Sequence, residues 1–252
     1  MLDALREEVL EANLELVRCG LVIASFGNAS GLARDEGLVV IKPSGVSYAD
    51  LRPATLVVTD LEGHVVEGGF RPSSDLPTHL ALYRAFAGAG GVVHTHSTCA
   101  TAWAQARRDI PPLGTTHADY FRGPVPCTRS MRPDEIARDY EANTANVIVE
   151  LYANADPLAQ PGALVRNHGP FSWGATPMDA VHNAVILEHL AMLAAETLRI
   201  EPLPAPISAE LLDKHFLRKH GPDAYYGQQA DSGGTPPAHG RTRPKRGMTG
   251  SH

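Results

Sequence analysis

The chain has 252 residues, is 43% hydrophobic and carries a formal net charge of -6. That is enough apolar content for a sizeable core, and the acidic balance leaves no basic footprint for nucleic acid. No apolar run is long enough to span a bilayer. The three cysteines, Cys19, Cys99 and Cys127, are widely spaced and form no Cys-x-x-Cys, which argues against a disulfide framework or a thiolate metal site and suits a reducing cytoplasm.

In chain order, Leu2, Leu5, Val9, Leu10, Leu16 and Val17 fall at helical spacing over residues 2–19, and Gly20 follows where a C-terminal cap belongs. This start reads as an amphipathic helix and not as a signal peptide. Ser25 to Ser30 is a small-residue loop. Leu38 to Ile41 is a short strand, ending in Lys42-Pro43-Ser44-Gly45. Leu56–Thr59 and His64–Glu67 flank a turn and predict a β-hairpin. Ser73-Ser74-Asp75 caps a helix that runs to about Phe86. After the glycines of 88–91 comes a buried strand ending in His94-Thr95-His96. A helix spans about Thr98 to Arg107, another begins at Pro133, and a strand-like run from Ala163 ends at His168. Thr176-Pro177 opens a long apolar helix from Met178 to about Arg199. A proline-rich connector, Glu201 to Pro206, leads to a last helix from about Ala209 to His220. Residues 229–252 hold Gly, Pro, Ser and basic residues with almost nothing to bury, and read as a disordered tail. Residues before the tail form one α/β domain, a sheet covered by helices on both faces.

His94 and His96, two apart on a strand, project from one face and make a chelating pair. His168 and Asp75 complete a candidate set of three imidazoles and a carboxylate. That set suits zinc, or another borderline divalent ion such as manganese or cobalt. Asn28, Ser44, Gly45, Ser73 and Ser74 lie in small-residue loops where side chains and backbone N–H groups can cup an anion. Ser73 and Ser74 also stand at a helix N-terminus, which favours negative charge but is equally ordinary capping. A lysine such as Lys42 after a strand is usually solvated.

The motifs 27-Gly-Asn-Ala-Ser-30, 41-Ile-Lys-Pro-Ser-Gly-Val-46, 72-Pro-Ser-Ser-Asp-Leu-Pro-Thr-His-79, 93-Val-His-Thr-His-Ser-97, 114-Gly-Thr-Thr-His-Ala-Asp-Tyr-Phe-121 and 168-His-Gly-Pro-Phe-Ser-Trp-Gly-174 occur in order. So does the ending Leu212 to Gly221 with Ala224 to Gln228. Over residues 1–228 the chain resembles the class II aldolase/epimerase family, in particular its L-ribulose-5-phosphate 4-epimerases. The resemblance implies a three-layer α/β/α domain with a central, largely antiparallel sheet. It implies homotetramers with active sites at subunit interfaces and one zinc or similar ion per subunit. It assigns acid/base roles to Asp119 and Tyr226 and places Lys42, His215 and Arg218 at the substrate. His79 and His117 are read as residues that pack behind the ligands. On residue grounds alone Asp119 reads as a turn or cap residue, and Tyr225 and Tyr226 are indistinguishable. In the Thr-Thr-His loop the Asp119 carboxyl is expected to be partly buried with a raised pKa.

The implied reaction interconverts L-ribulose 5-phosphate and D-xylulose 5-phosphate. The C2 carbonyl acidifies C3 and not C4, so inversion at C4 needs cleavage of the C3–C4 bond, rotation of the aldehyde fragment and re-addition. The alternative is a fuculose- or rhamnulose-type phosphate aldolase, in which a glutamate stands at the position of Asp75. Phe26, where relatives often carry tryptophan, and Phe216, in place of a tyrosine, depart from the family pattern.

Overall fold

A computed structural model describes residues 2–225. Tyr226 and the segment from residue 229 onward lie outside the described residues. Among the described residues, seven strands form one sheet in the order β4-β3-β2-β1-β5-β7-β6. The strands are β1 (Asn28–Ala33), β2 (Leu38–Ile41), β3 (Val57–Asp60), β4 (Val65–Glu67), β5 (Gly91–His94), β6 (Gly162–Val165) and β7 (Gly169–Gly174). Every pairing between them is antiparallel.

The strand residues alternate faces, and each face has its own helices. Val39, Ile41, Val57 and Val92 join a core with Leu80, Tyr83, Ala145 and Ile148. These last four come from α2 (Leu76–Ala85) and α6 (Tyr140–Leu151). The intervening Val40 and Val58 pack with Val9, and Val93 packs with Leu16 and Val181. Those partners come from α1 (Leu2–Arg18) and α7 (Pro177–Ile200). The outcome is the expected α/β/α sandwich. A further helix, α3 (Thr98–Ala106), packs on α7, and the short α4 (Thr115–Ala118) packs on α8 (Ala209–His220). Between α3 and α6 lie α4 and then α5 (Pro133–Ala137). The three cysteines are free thiols. Among the described residues no helix is long and apolar enough to cross a membrane.

Two strands were not foreseen. The segment read as a loop at Ser25–Ser30 ends in β1, a central strand made of Asn-Ala-Ser-Gly-Leu-Ala. It lacks β-branched residues because helices press closely on it. Asn13 of α1 is fully buried and clamps its backbone. The Asn13 amide donates to Ala29 O at 3.0 Å, and Asn13 Oδ1 accepts from Ala29 N at 2.9 Å. The other missed strand, β7, is Gly-Pro-Phe-Ser-Trp-Gly and is buried throughout.

Gly31, Gly91 and Gly174 are direct partners across β1, β5 and β7. They form a furrow with no side chains, and the first turn of α7 lies in it. A Cβ on Gly91 would stand 2.4 Å from Thr176 O and 2.5 Å from Pro177 Cα, while one on Gly174 would meet Ala180 N at 2.7 Å. These are backbone atoms, held by the capping box in which Thr176 Oγ1 accepts from Asp179 N. Gly91→Ala is therefore expected to destabilise the protein by about 3 kcal/mol, the upper range of overpacking costs. Chemical denaturation measures it, and a loss below about 1 kcal/mol would mean that α7 shifts freely on the sheet.

Candidate functional site

One end of the sheet is built for chemistry. Asn28 pairs with His94, and His94 pairs with Phe171, across three neighbouring strands. His94 ends β5 and is buried. Its ring stacks on Phe171 with centroids 4.2 Å apart, and its Nδ1 lies 3.0 Å from Pro170 O. Donation from Nδ1–H to that carbonyl leaves Nε2 as the ligand nitrogen. His96 lies beyond the strand and not on it, yet its Nε2 is 3.1 Å from His94 Nε2. Phe26 stacks on its other side at 6.0 Å. His168 sits in the turn between β6 and β7, just after Asn167, whose φ is +61°. Its ring centroid is 4.7 Å from that of His94 and 5.0 Å from that of His96.

One ligand atom from each of His94, His96 and His168 falls within 4.8 Å of the others. Asp75, expected as a fourth ligand, is outside that group but lines the same cleft. Its Oδ2 accepts from Asn28 Nδ2 at 2.7 Å. Asp75 occupies the N-cap position of α2 but makes no capping bond with its side chain. Burial opposes its ionisation, but His94, His79 and the Asn28 amide favour the anion, and its carboxyl lies below the usual range.

The His94 and His168 imidazoles are held toward the neutral form, the one that binds metal. Burial, and then repulsion from His94 and His96, brings His168 down to about 4. Burial likewise lowers His94. Two imidazole nitrogens on a tetrahedral zinc sit about 3.3 Å apart, close to the His94–His96 separation. The donors therefore fit a borderline divalent cation, whichever of zinc, manganese or cobalt it is.

A cleft of about 440 Å³ opens over the cluster and is lined by Asn28, Lys42, Ser44, Gly45, Ser73, Ser74 and Asp75 besides the histidines. The 42–45 and 71–75 loops are tied together by a bridge between Pro43 and Pro72 and by Ser73 N donating to Lys42 O. The five residues expected to bind substrate on these loops thus converge with Asn28 at the start of β1. Lys42 is not solvated but 2% exposed, its ammonium 4.8 Å from the Tyr48 ring centre, and burial lowers its pKa. Asn28 Oδ1 is buried with no hydrogen-bond partner among the described residues, as suits an atom that waits for a ligand donor. His79 is buried behind Asp75, with Nδ1 2.7 Å from Ser30 Oγ, and burial pushes it down to about 3. His117 packs elsewhere, its Nε2 2.6 Å from Gly123 O.

Asp119, His215 and Arg218 gather at a separate place, where α4 meets α8, and do not line the cleft. Arg218 grips the Asp119 carboxylate through Nε at 3.1 Å and Nη2 at 2.8 Å, and His215 Nδ1 lies 3.0 Å from it. Burial raises the Asp119 pKa, but the Arg218 and His215 hydrogen bonds and the Lys219 charge outweigh it. Its pKa is lowered, which corrects the expected rise. The sequence reading also missed Tyr140 and Glu141, which line the cleft from the start of α6. Their signal was faint, since Tyr-Glu in the first turn of a helix is unremarkable without its neighbours in space.

The Class II Aldolase and Adducin N-terminal domain family matches residues 7–195. The L-ribulose-5-phosphate 4-epimerases UlaF of Salmonella paratyphi C and Salmonella choleraesuis are each 54% identical over 228 residues, which is 90% of this chain and 100% of theirs. Among solved structures, an L-fuculose 1-phosphate aldolase aligns with a TM-score of 0.72 at 23% identity, covering 84% of this chain and 94% of that one. YgbL of Escherichia coli aligns with a TM-score of 0.69 at 28% identity, covering 84% and 98%. The aldolase likeness bears on the fold alone.

Proposed function

The chain belongs to the class II aldolase family, and on that premise we propose that it is an L-ribulose-5-phosphate 4-epimerase producing D-xylulose 5-phosphate in L-arabinose-type pentose catabolism. The observation that carries this reading is the 54% identity to two epimerases across their full length. The class II domain extends to residue 228, and the enzyme works in the cytoplasm as a homotetramer.

His94, His96 and His168 hold a divalent cation, zinc by preference, with Asp75 close behind them. When bound, the cation offsets the negative charge that builds on the substrate oxygens beside the breaking C3–C4 bond. Lys42, Asn28, Ser44, Gly45, Ser73 and Ser74 hold the phosphate and fix the fragment that must not escape. Asp119 is ionised at neutral pH and so accepts a proton from the C4 hydroxyl. Tyr226 returns one on the opposite face, reaching from a neighbouring subunit, while His215 and Arg218 stay on Asp119 and hold its carboxylate toward the substrate.

Turnover of L-ribulose 5-phosphate in heavy water tests the bond-cleavage route. The original hydrogen stays on the aldehyde carbon, so D-xylulose 5-phosphate forms with no deuterium at C4. Deuterium at C4 would replace cleavage by deprotonation. Release of free aldehyde as the main product would mark an aldolase.

A further inference from the structure

We propose that Tyr140 is a positioning residue for the metal cluster, its hydroxyl accepting the Nδ1–H of His168 so that Nε2 is presented to the ion. The inference rests on the metal-binding reading above. Three observations lead to it. The Tyr140 hydroxyl lies 3.3 Å from His168 Nδ1, and the two rings stack at 30° with centroids 6.2 Å apart. In this His168 repeats His94, whose Nδ1 is held by Pro170 O. A metal-bound imidazole whose second nitrogen donates to an oxygen is fixed in tautomer and in ring orientation.

The second observation is the backbone just before Tyr140. Asp139 has φ +50° and ψ +44°, a left-handed conformation that costs a non-glycine residue roughly 1–2 kcal/mol. Asp139 makes no capping bond that would offset this. What the conformation does is break the chain between α5 and α6 and turn the first residue of α6 into the cleft. Backbone strain of this kind gathers where geometry serves function.

The third is anchorage. Thr78 Oγ1, one turn along α2 from Asp75, donates to Glu141 O at 2.6 Å, and Thr144 Oγ1 donates back to Tyr140 O at 2.9 Å. The start of α6 is thus fixed to the helix that carries Asp75. His168 sits in a hairpin turn, outside the strand pairing that fixes His94, so a hold on its ring adds to what its backbone supplies.

The test is a titration of metal-free wild type and Tyr140→Phe with Zn2+ against a chromophoric chelator, repeated with Co2+ to follow its visible spectrum. Phenylalanine keeps the ring stack and removes only the hydroxyl. Zinc affinity is expected to fall about 10–100-fold, with an altered Co2+ spectrum and an unchanged thermal midpoint of the metal-free protein. In a His168→Ala background the same substitution should change affinity less than twofold, because its effect runs through His168. Wild-type affinity and spectrum in Tyr140→Phe would overturn the inference and leave the metal site standing. An equal loss in the His168→Ala background would overturn it too. Failure of wild type itself to bind zinc would remove both readings together.

Discussion

Replacing His96 by alanine abolishes stoichiometric binding of a divalent cation at micromolar metal and cuts turnover by at least about 10³-fold. The Nε2 atoms of His94 and His96 lie 3.1 Å apart, so the two imidazoles face one shared ligand position. Removing a ligand outright must cost more than the roughly 10–100-fold attached to an outer hydrogen-bond partner. The charge that the cation offsets in the transition state is then left uncompensated, a loss of order 10²–10³ even for a single hydrogen-bond donor. His96 is better suited to this test than His94. His94 is buried and stacked on Phe171, so its removal also opens a cavity. Elemental analysis of the purified variant gives the answer, and a full equivalent of metal would rule the assignment out.

Asp119→Asn and Tyr226→Phe proteins, each nearly inactive alone, recover activity when mixed under conditions that exchange subunits. Each substitution removes one proton-transfer group and should cost about 10²–10⁴-fold. Asp119 lies at the α4–α8 contact and not in the cleft that holds the histidines. On the proposed assignment, the cleft of one subunit is not lined by its own Asp119. If each site takes Asp119 from one subunit and Tyr226 from another, random mixing leaves about a quarter of sites with both groups intact. Mixtures that stay as inactive as their parents would sink the shared site. A bidentate arginine on Asp119 fits a group kept ionised until it is used.

Periodic stretches declared themselves in the sequence, and stretches made of small residues did not. The last helix was read at Ala209 to His220 and lies there, and α7 starts at the expected proline. Apolar spacing and capping chemistry carry both. The strand β1 was invisible because nothing in Asn-Ala-Ser-Gly-Leu-Ala resembles a strand. Its conformation is imposed by β2, β5 and the Asn13 clamp. At the site, the convergence of His94, His96 and His168 could be proposed from strand alternation, although His96 reaches the cluster from beyond the strand. The hydrogen bond that holds Asp75 could not be, because it comes from a side chain on β1, Asn28, far away in sequence. The direction of the Asp119 shift was missed for a similar reason. It is set by Arg218, 99 residues away, and not by the local loop.

The glycine furrow beneath α7 has a consequence for how the chain assembles. Gly91 and His94 share a strand only four residues long, and side chains on a strand alternate faces. A one-residue slip of β5 against β1 would turn the histidine to the opposite face of the sheet. The same slip would set Val92, in place of Gly91, against Gly31 and fill the furrow with a branched side chain. Pro177 and the first turn of α7 could not then seat. Docking of α7 thus acts as a check on registration. A misaligned sheet is refused by the helix before it can close over the metal ligands at the other end. The strands involved lie as far apart in sequence as Asn28 and Gly174, so correct alignment must be found by slow, non-local search. The furrow makes the wrong answers to that search costly enough to be abandoned.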